Sequence, residues 1–328
     1  MKRTMKQWGD CLYVFSKEQI PGKGEDSQFA ALDEHMAVVA AFDGLGGSGA
    51  RRYDRYGKHT GAYMASRMAS GALRDWYYAL SRAAAEGRCR IPESVETYIR
   101  TGMDLCSSMA DQRRGGLMGS MIRDFPTTAA MAFAIGREYG AELWVGWAGD
   151  SRVYLLDAMG LAQLTVDDNE EQDAFANLYA SSAMTNVISS DGKWTLNWRR
   201  YRIDHPCLVF AATDGCFDYR PTPMEFEHML LEKLMQAKSP AAFEEGLEQA
   251  MGFWAGDDYT MAMISMGFGS FGRTQDMLRR RYETLTEDYI RPLDALEASE
   301  DSGTIRQGRG RLWSVYRENY YRCLEGGK

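Results

Sequence analysis

The sequence predicts an α+β fold, and three observations carry that expectation. Two uncharged, largely apolar runs, Met36–Phe42 and residues 206–212, read as strands buried on both faces. Residues 125–164 hold three more apolar segments, divided by turn signals at 136–140, Gly149-Asp150 and 157–160, the pattern of a β-meander. Stretches with apolar residues every three or four positions, at 50–85 and 92–113, read as amphipathic helices apart from those strands.

Taken in order, residues 1–20 read as an edge strand with ragged ends, and 22–32 as a turn leading into a short strand. The run Met36–Phe42 ends at Asp43, followed by Gly44, Leu45, Gly46 and Gly47. Tyr53, Tyr56, Ala62, Met64, Met68, Leu73, Trp76 and Leu80 mark the inward face of the first helix. Arg113-Arg114-Gly115-Gly116 marks a loop after the second, whose methionines read as core filler. Residues 165–205 have weak periodicity and many polar groups, as an irregular excursion with short helices would. Helices are expected at about 223–236 and 240–251, and a last core strand follows Gly256-Asp257-Asp258. The tail, 269–328, carries 11 basic and 10 acidic side chains, and all but one of the basic residues are arginine. It reads as two helices, 274–296 with a break at Pro292 and 311–324, separated by Ser302-Gly303 and Gly308-Arg309-Gly310. Tyr282, Leu285, Tyr289, Trp313, Tyr316 and Tyr320 fall at helical spacing there. They suit either a helical pair packed on the core or a docking element for a partner.

At 328 residues the chain suits one large domain, or one domain with an appendage. The expected division is 1–268 as the core domain and 269–328 as a C-terminal helical extension. The balance of 38 basic against 46 acidic side chains, net −8, is a poor match to sequence-independent nucleic-acid binding. No apolar run reaches 18 residues, so no membrane span is expected. The N-terminus has basic residues with no sustained apolar stretch after them, unlike a signal peptide. Six scattered cysteines without a CxxC pair suggest reduced thiols in a cytoplasmic protein. The four histidines show no metal spacing, which points away from histidine chemistry.

Three acids stand at strand ends: Asp43, Asp214 and Asp257. Each is also compatible with a plain turn, as Asp-Gly usually is. If the three strand ends align, the carboxylates converge, and they can stay ionised together only around a cation. An all-oxygen set suits Mg²⁺ or Mn²⁺. Two such ions about 4 Å apart can activate a water and hold a phosphoryl group for in-line attack.

The order of the short motifs resembles that of the metal-dependent type-2C Ser/Thr protein phosphatases, the PPM family, especially the bacterial members. From about residue 20 to 268 the chain carries Glu25-Asp26, then Phe42-Asp43-Gly44-Leu45-Gly46-Gly47, then Thr127-Thr128-Ala129. Ala148-Gly149-Asp150-Ser151-Arg152 with Leu164-Thr165, Ala212-Thr213-Asp214-Gly215 and Asp257-Asp258-Tyr259-Thr260 follow. The resemblance implies a four-layer α-β-β-α sandwich of two antiparallel sheets flanked by helices, with a dinuclear Mn²⁺ or Mg²⁺ site at one end. It implies a phosphatase that hydrolyses phosphoserine and phosphothreonine, with phosphoprotein substrates and a Ser/Thr protein kinase among its partners. By the same resemblance Asp43 bridges both metals and the Gly44 carbonyl binds one. Asp214 and Asp257 hold the other, and Glu25 and Asp26 act at the first directly or through water. Residues 165–205 form a flap, and Asp150 and Arg152 hold a hairpin turn. Some relatives bind a third metal through an acid near the position of Asp124, which is one residue off register here. The chain departs from the pattern in having Pro21 where the family has a phosphate-gripping arginine, leaving Lys23 as the nearest cation. Pro126 replaces a usual glycine, and Asp258 replaces the usual asparagine and adds negative charge. A phosphatase-like module that binds a kinase or phosphoprotein with weakened catalysis is the alternative.

Overall fold

The computed structural model describes residues 5–54, 57–109, 124–171, 173–178, 183–298 and 301–325. Tyr56, the expected loop at 113–116 and the far end of the 92–113 helix lie outside them. A short helix α1 (Met5–Trp8) leads into strands β1 (Gly9–Lys17), β2 (Ser27–Leu32) and β3 (Met36–Phe42). A two-strand ribbon, β4 (Arg52–Tyr53) and β5 (His59–Thr60), precedes helices α2 (Gly61–Ala85) and α3 (Ile91–Met109). Strands β6 (Ala129–Arg137), β7 (Gly140–Ala148), β8 (Arg152–Asp157) and β9 (Gly160–Gln163) come next. Helix α4 (Ala174–Asn177), strands β10 (Asn197–Ile203) and β11 (Cys207–Ala212), helices α5 (Pro223–Gln236) and α6 (Pro240–Trp254) and strand β12 (Tyr259–Met266) complete the core. The tail forms α7 (Phe271–Leu285), α8 (Arg291–Glu297), α9 (Ser302–Tyr320) and α10 (Arg322–Glu325).

Two five-stranded antiparallel sheets result, ordered β1-β12-β11-β8-β9 and β10-β7-β6-β3-β2. Period-two alternation explains why β3 carries no polar residue. Met36, Val38, Ala40 and Phe42 face α2 and α3, whereas Ala37, Val39 and Ala41 face the opposite sheet. All seven are buried. The layer between the sheets is rich in alanine and valine, so both backbones approach over small side chains. A third core lies between the first sheet, α5, α6 and the tail, where Leu278, Leu285, Leu293, Trp313, Tyr316 and Tyr320 are buried. The tail's apolar face therefore shares its core with the strands. The three cores separate four layers, α-β-β-α.

Several elements differ from the sequence expectation. The meander is split: β6 and β7 lie in one sheet, β8 and β9 in the other, and there are four strands, not three. The chain changes sheets at Gly149, whose φ of +92° suits glycine. The first helix starts at Gly61, not near residue 50. The preceding segment is diverted into the ribbon, and Thr60 caps the helix by accepting from the Tyr63 N–H at 3.1 Å. Within the expected irregular excursion, 197–203 is strand β10, an edge strand whose exposed side disguises its period. In the tail, a π-helical turn at Thr286–Ile290 joins α7 to α8 one turn before Pro292, which sits in the first turn of α8. Helix α9 runs through the glycines expected to interrupt it. A Cβ on Gly308 would meet Leu296 Cδ1 at 2.3 Å, so the glycine lets two helices close together. Asp301 caps that helix by accepting from Thr304 N–H. All six cysteines are free thiols. Among the described residues no helix is long and apolar enough to cross a membrane.

Candidate metal centre

Register brings the acids to one end of the sandwich. The end of β3 pairs with the start of β2, Phe42 opposite Ser27, which sets Asp43 beside Asp26. The end of β11 pairs with the start of β12, Ala212 opposite Met261, which sets Asp214 near Asp257. These two pairs belong to opposite sheets, so the acids meet across the sandwich and do not line one sheet.

Threonines hold the acid-bearing backbone. The Asp43 carbonyl accepts from Thr128 N–H and from Thr127 Oγ1, both at 2.8 Å, and Asp43 N–H donates to Thr128 Oγ1 at 3.1 Å. Thr213 Oγ1 donates to Asp26 Oδ2 at 2.8 Å and accepts from Thr260 N–H at 3.0 Å. Thr60 donates to Glu25 Oε1. Asp258 does more than add charge, because its carboxylate accepts from the backbone N–H groups of Glu25 and Gln19, each at 2.7 Å. Gly44 is needed by close approach: a Cβ there would stand 2.6 Å from the Ala62 carbonyl oxygen and 2.7 Å from that of Glu25.

Burial, then the charges of Asp214, Asp26, Asp150 and Asp257, push the Asp43 carboxyl well above its usual range. Burial chiefly raises Asp26 to about 7, opposed by the Thr213 hydrogen bond, and Asp214 to about 6, with Asp257 adding repulsion. Glu25 is raised by burial against the Thr60 hydrogen bond. Asp150 is raised by burial and by Asp214 and Asp167, and Asp218 to about 7 mainly by burial. Asp167 and Asp218 belong to no motif read in the sequence, and no spacing signal would have found them. Arg152 faces this cluster, buried, with Nη2 2.7 Å from Asp167 Oδ2 and Nε 3.0 Å from Oδ1.

The hairpin-turn role expected of Asp150 falls to Asp168. Its Oδ2 accepts from Gly149 N–H at 3.0 Å and its own N–H returns to the Gly149 carbonyl. Asp150 Oδ1 and Asp218 Oδ1 are buried without a hydrogen-bond partner among the described residues. Such orphaned carboxylate oxygens, in a set without histidine or thiolate, suit a hard cation. Among the described residues, however, no three acid, histidine or cysteine side chains stand close enough together to hold one ion as they lie. Asp257 and Lys23 are exposed. Asp124 is exposed as well. Its charge acts on the Tyr53 phenol, and its carbonyl accepts from Ser190 N–H and Oγ.

The raised carboxyls make metal-free stability depend on pH. A folded-state pKa above the ordinary value of 3.8 means that the folded protein binds more protons than the unfolded chain. This stabilisation is complete below about pH 4 and is lost as pH rises through about 6 to 7. The urea midpoint of the metal-free protein is therefore expected to fall between pH 5 and pH 8. A midpoint that rises over this range contradicts the placement of the acids.

No protein-family model matches the sequence, and no curated protein does. Solved structures do match in fold. The Mycobacterium tuberculosis serine/threonine phosphatase PstP/Ppp aligns with a TM-score of 0.56 at 16% identity, covering 78% of this chain and 97% of its own. The catalytic domain of PstP in complex with two manganese ions aligns at 0.52 with the same identity and coverage. Stp1 from Staphylococcus aureus, a serine/threonine phosphatase, aligns at 0.54 and 15% identity, covering 79% of this chain and 96% of its own. Two antiparallel sheets between helices, with acids gathered at one end, give this chain the fold of the bacterial PPM-type Ser/Thr phosphatases.

Proposed function

We propose that the chain is a metal-dependent protein Ser/Thr phosphatase that removes phosphate from phosphoserine and phosphothreonine in phosphoproteins. The observation that carries this reading is the convergence of Asp43, Asp26, Asp214 and Asp257 from opposite sheets, in a fold whose solved relatives are Ser/Thr phosphatases. Two Mn²⁺ or Mg²⁺ ions fit the donor chemistry, and one of those relatives was solved with two manganese ions. Asp43 and the Gly44 carbonyl, with Glu25 and Asp26, would hold one ion. Asp43, Asp214 and Asp257 would hold the other, and Asp124 is the candidate for a third. Bound ions would supply Lewis-acid stabilisation of the phosphoryl oxygens and activation of a water. Thr127 and Thr128 keep the Asp43 backbone fixed, so its carboxylate is aimed before metal arrives. Arg152 offsets part of the repulsion felt by Asp150 and Asp214. The kinase whose products such an enzyme reverses is its expected partner.

Manganese-dependent hydrolysis of an aryl phosphate, followed by phosphopeptides against nucleotides, tests the reading. Activity on nucleotides alone would make the chain a different phosphoesterase. No hydrolysis with manganese bound would favour the second reading, a phosphatase-like module that binds phosphoproteins. Pro21 in place of the arginine, and the lack among the described residues of three such side chains close enough to share one ion as they lie, favour that alternative.

Lys23 is the cation proposed for the phosphate, and it offers a point charge without a bidentate fork. Lys23→Ala is expected to raise KM for a phosphopeptide several-fold with kcat little changed, as loss of uniform binding does. Steady-state kinetics check this, and an unchanged KM removes Lys23 from phosphate recognition.

A further inference from the structure

The C-terminal segment reaches the acid cluster by two hydrogen-bonded routes. The first runs through α4. Trp313 Nε1 donates to Asp173 Oδ1 at 3.1 Å, Arg317 lies 3.5 Å from Asp173 Oδ2, and Ala174 N–H donates to the Tyr321 hydroxyl at 2.7 Å. The rings of Phe175 and Trp313 stack with centroids 6.2 Å apart. Asp173 in turn caps α4, accepting from Phe175 and Ala176 N–H at 3.0 and 3.1 Å. A helix of four residues has no stability of its own, so these tail contacts and the cap hold it. At its far end Asn177 Nδ2 donates to Asp167 Oδ2 at 3.4 Å and to the Glu171 carbonyl at 3.0 Å.

The second route runs through the core. The Tyr320 hydroxyl donates to that of Tyr154 at 3.3 Å, and Arg152 Nη1 donates to the Tyr154 hydroxyl at 3.2 Å. Arg152, with its guanidinium 4.2 Å from the Phe217 ring centroid, then grips Asp167. Both routes therefore end on the Arg152–Asp167 pair, whose charges bear on Asp150 and Asp214.

We propose that the C-terminal segment, through Trp313, Tyr320 and Tyr321, is a positioning element for the candidate site, clamping α4 and fixing the Arg152–Asp167 pair against the acids. Its catalytic consequence rests on the phosphatase reading, whereas the clamp itself does not.

The test uses the full chain with Trp313→Phe/Tyr321→Phe, which keeps an aromatic ring at both positions, a smaller phenyl replacing the buried indole, and removes the two polar contacts, and with Tyr320→Phe separately. Hydrogen exchange of the metal-free proteins is followed at residues 174–178 and, as a reference, along α7. Manganese affinity and aryl-phosphate kinetics are measured beside it. In the double variant, exchange at 174–178 is expected to rise about tenfold with α7 unchanged, and kcat to fall several-fold with KM nearly constant. Tyr320→Phe is expected to lower kcat without faster exchange at 174–178, because its route bypasses α4. Unchanged exchange in the double variant overturns the clamp. Faster exchange with wild-type kcat and manganese affinity overturns the positioning role. If the wild type hydrolyses nothing with manganese, the phosphatase reading fails on its own, and exchange with manganese affinity still decides the proposal.

Discussion

Asp43→Asn is expected to lose manganese affinity and at least a hundredfold in aryl-phosphate hydrolysis, a barrier increase of about 2.7 kcal/mol. The substitution keeps size and hydrogen-bonding capacity but removes the carboxylate proposed to touch both ions. The backbone should stay in place, because Thr127 and Thr128 hold Asp43 through its main-chain groups and not through its side chain. Without metal the variant should be more stable than wild type at neutral pH, since Asp214, Asp26 and Asp150 lose a repelling neighbour. With manganese the order should reverse, because binding stabilises the folded wild type by mass action. Calorimetric titration with Mn²⁺ beside thermal melts reads both effects. Equal manganese affinity in the two proteins would remove the dinuclear site from consideration, whatever the activity assay showed.

Arg281→Met is expected to destabilise the protein by about 3–5 kcal/mol, the scale for stranding one partner of a buried ion pair. Glu227 on α5 is fully buried, and Arg281 on α7 grips it from both ends, Nε to Oε1 at 2.7 Å and Nη2 to Oε2 at 2.8 Å. The Tyr316 hydroxyl adds a third donor at 2.5 Å. Methionine fills much of the arginine stem's volume but leaves the carboxylate with that one donor. Combining it with Glu227→Gln should recover most of the loss, because the uncompensated charge goes with it. Urea denaturation of both variants checks this. A loss below about 1 kcal/mol in the single variant would mean the pair behaves as a surface contact, and that the tail is bound less firmly than its burial indicates.

The elements legible in the sequence were those whose local pattern and tertiary role agree. Strand β3 is apolar at every position because both of its faces are covered, and the sequence shows that directly. Helix α5 carries Thr222 as cap and Pro223 at its first position, so both ends stand where the sequence placed them. Strand β10 was not legible, because an edge strand with arginines on its open side has no clean alternation. The candidate site was half legible. Asp43 and Asp214 announce themselves by following apolar strands and Asp257 by preceding one, whereas Asp167 and Asp218 come near them only through the fold.

By itself the sequence determined the two-sided burial of β3 and β11, the helical character of α2, α3, α5 and α6, and an oxygen-rich acid set without histidine or thiolate. Those properties are local, set by side-chain period and residue chemistry over a few positions. Only the tertiary structure decided that the acids meet across two sheets, that the meander divides at Gly149 and that α9 runs through three glycines. Each of those outcomes depends on partners far away in the chain. Sheet pairing sets which strand ends are neighbours. Packing of Leu296 against Gly308 outweighs glycine's intrinsic cost in a helix, roughly 1 kcal/mol per residue. The same holds for the tail, whose helical spacing suited a packed pair better than a docking element for a partner but did not decide between them. Burial of Trp313, Tyr316 and Tyr320 in one core with β8 and β11 packs it onto the domain, because large aromatic surfaces gain more from that core than from water.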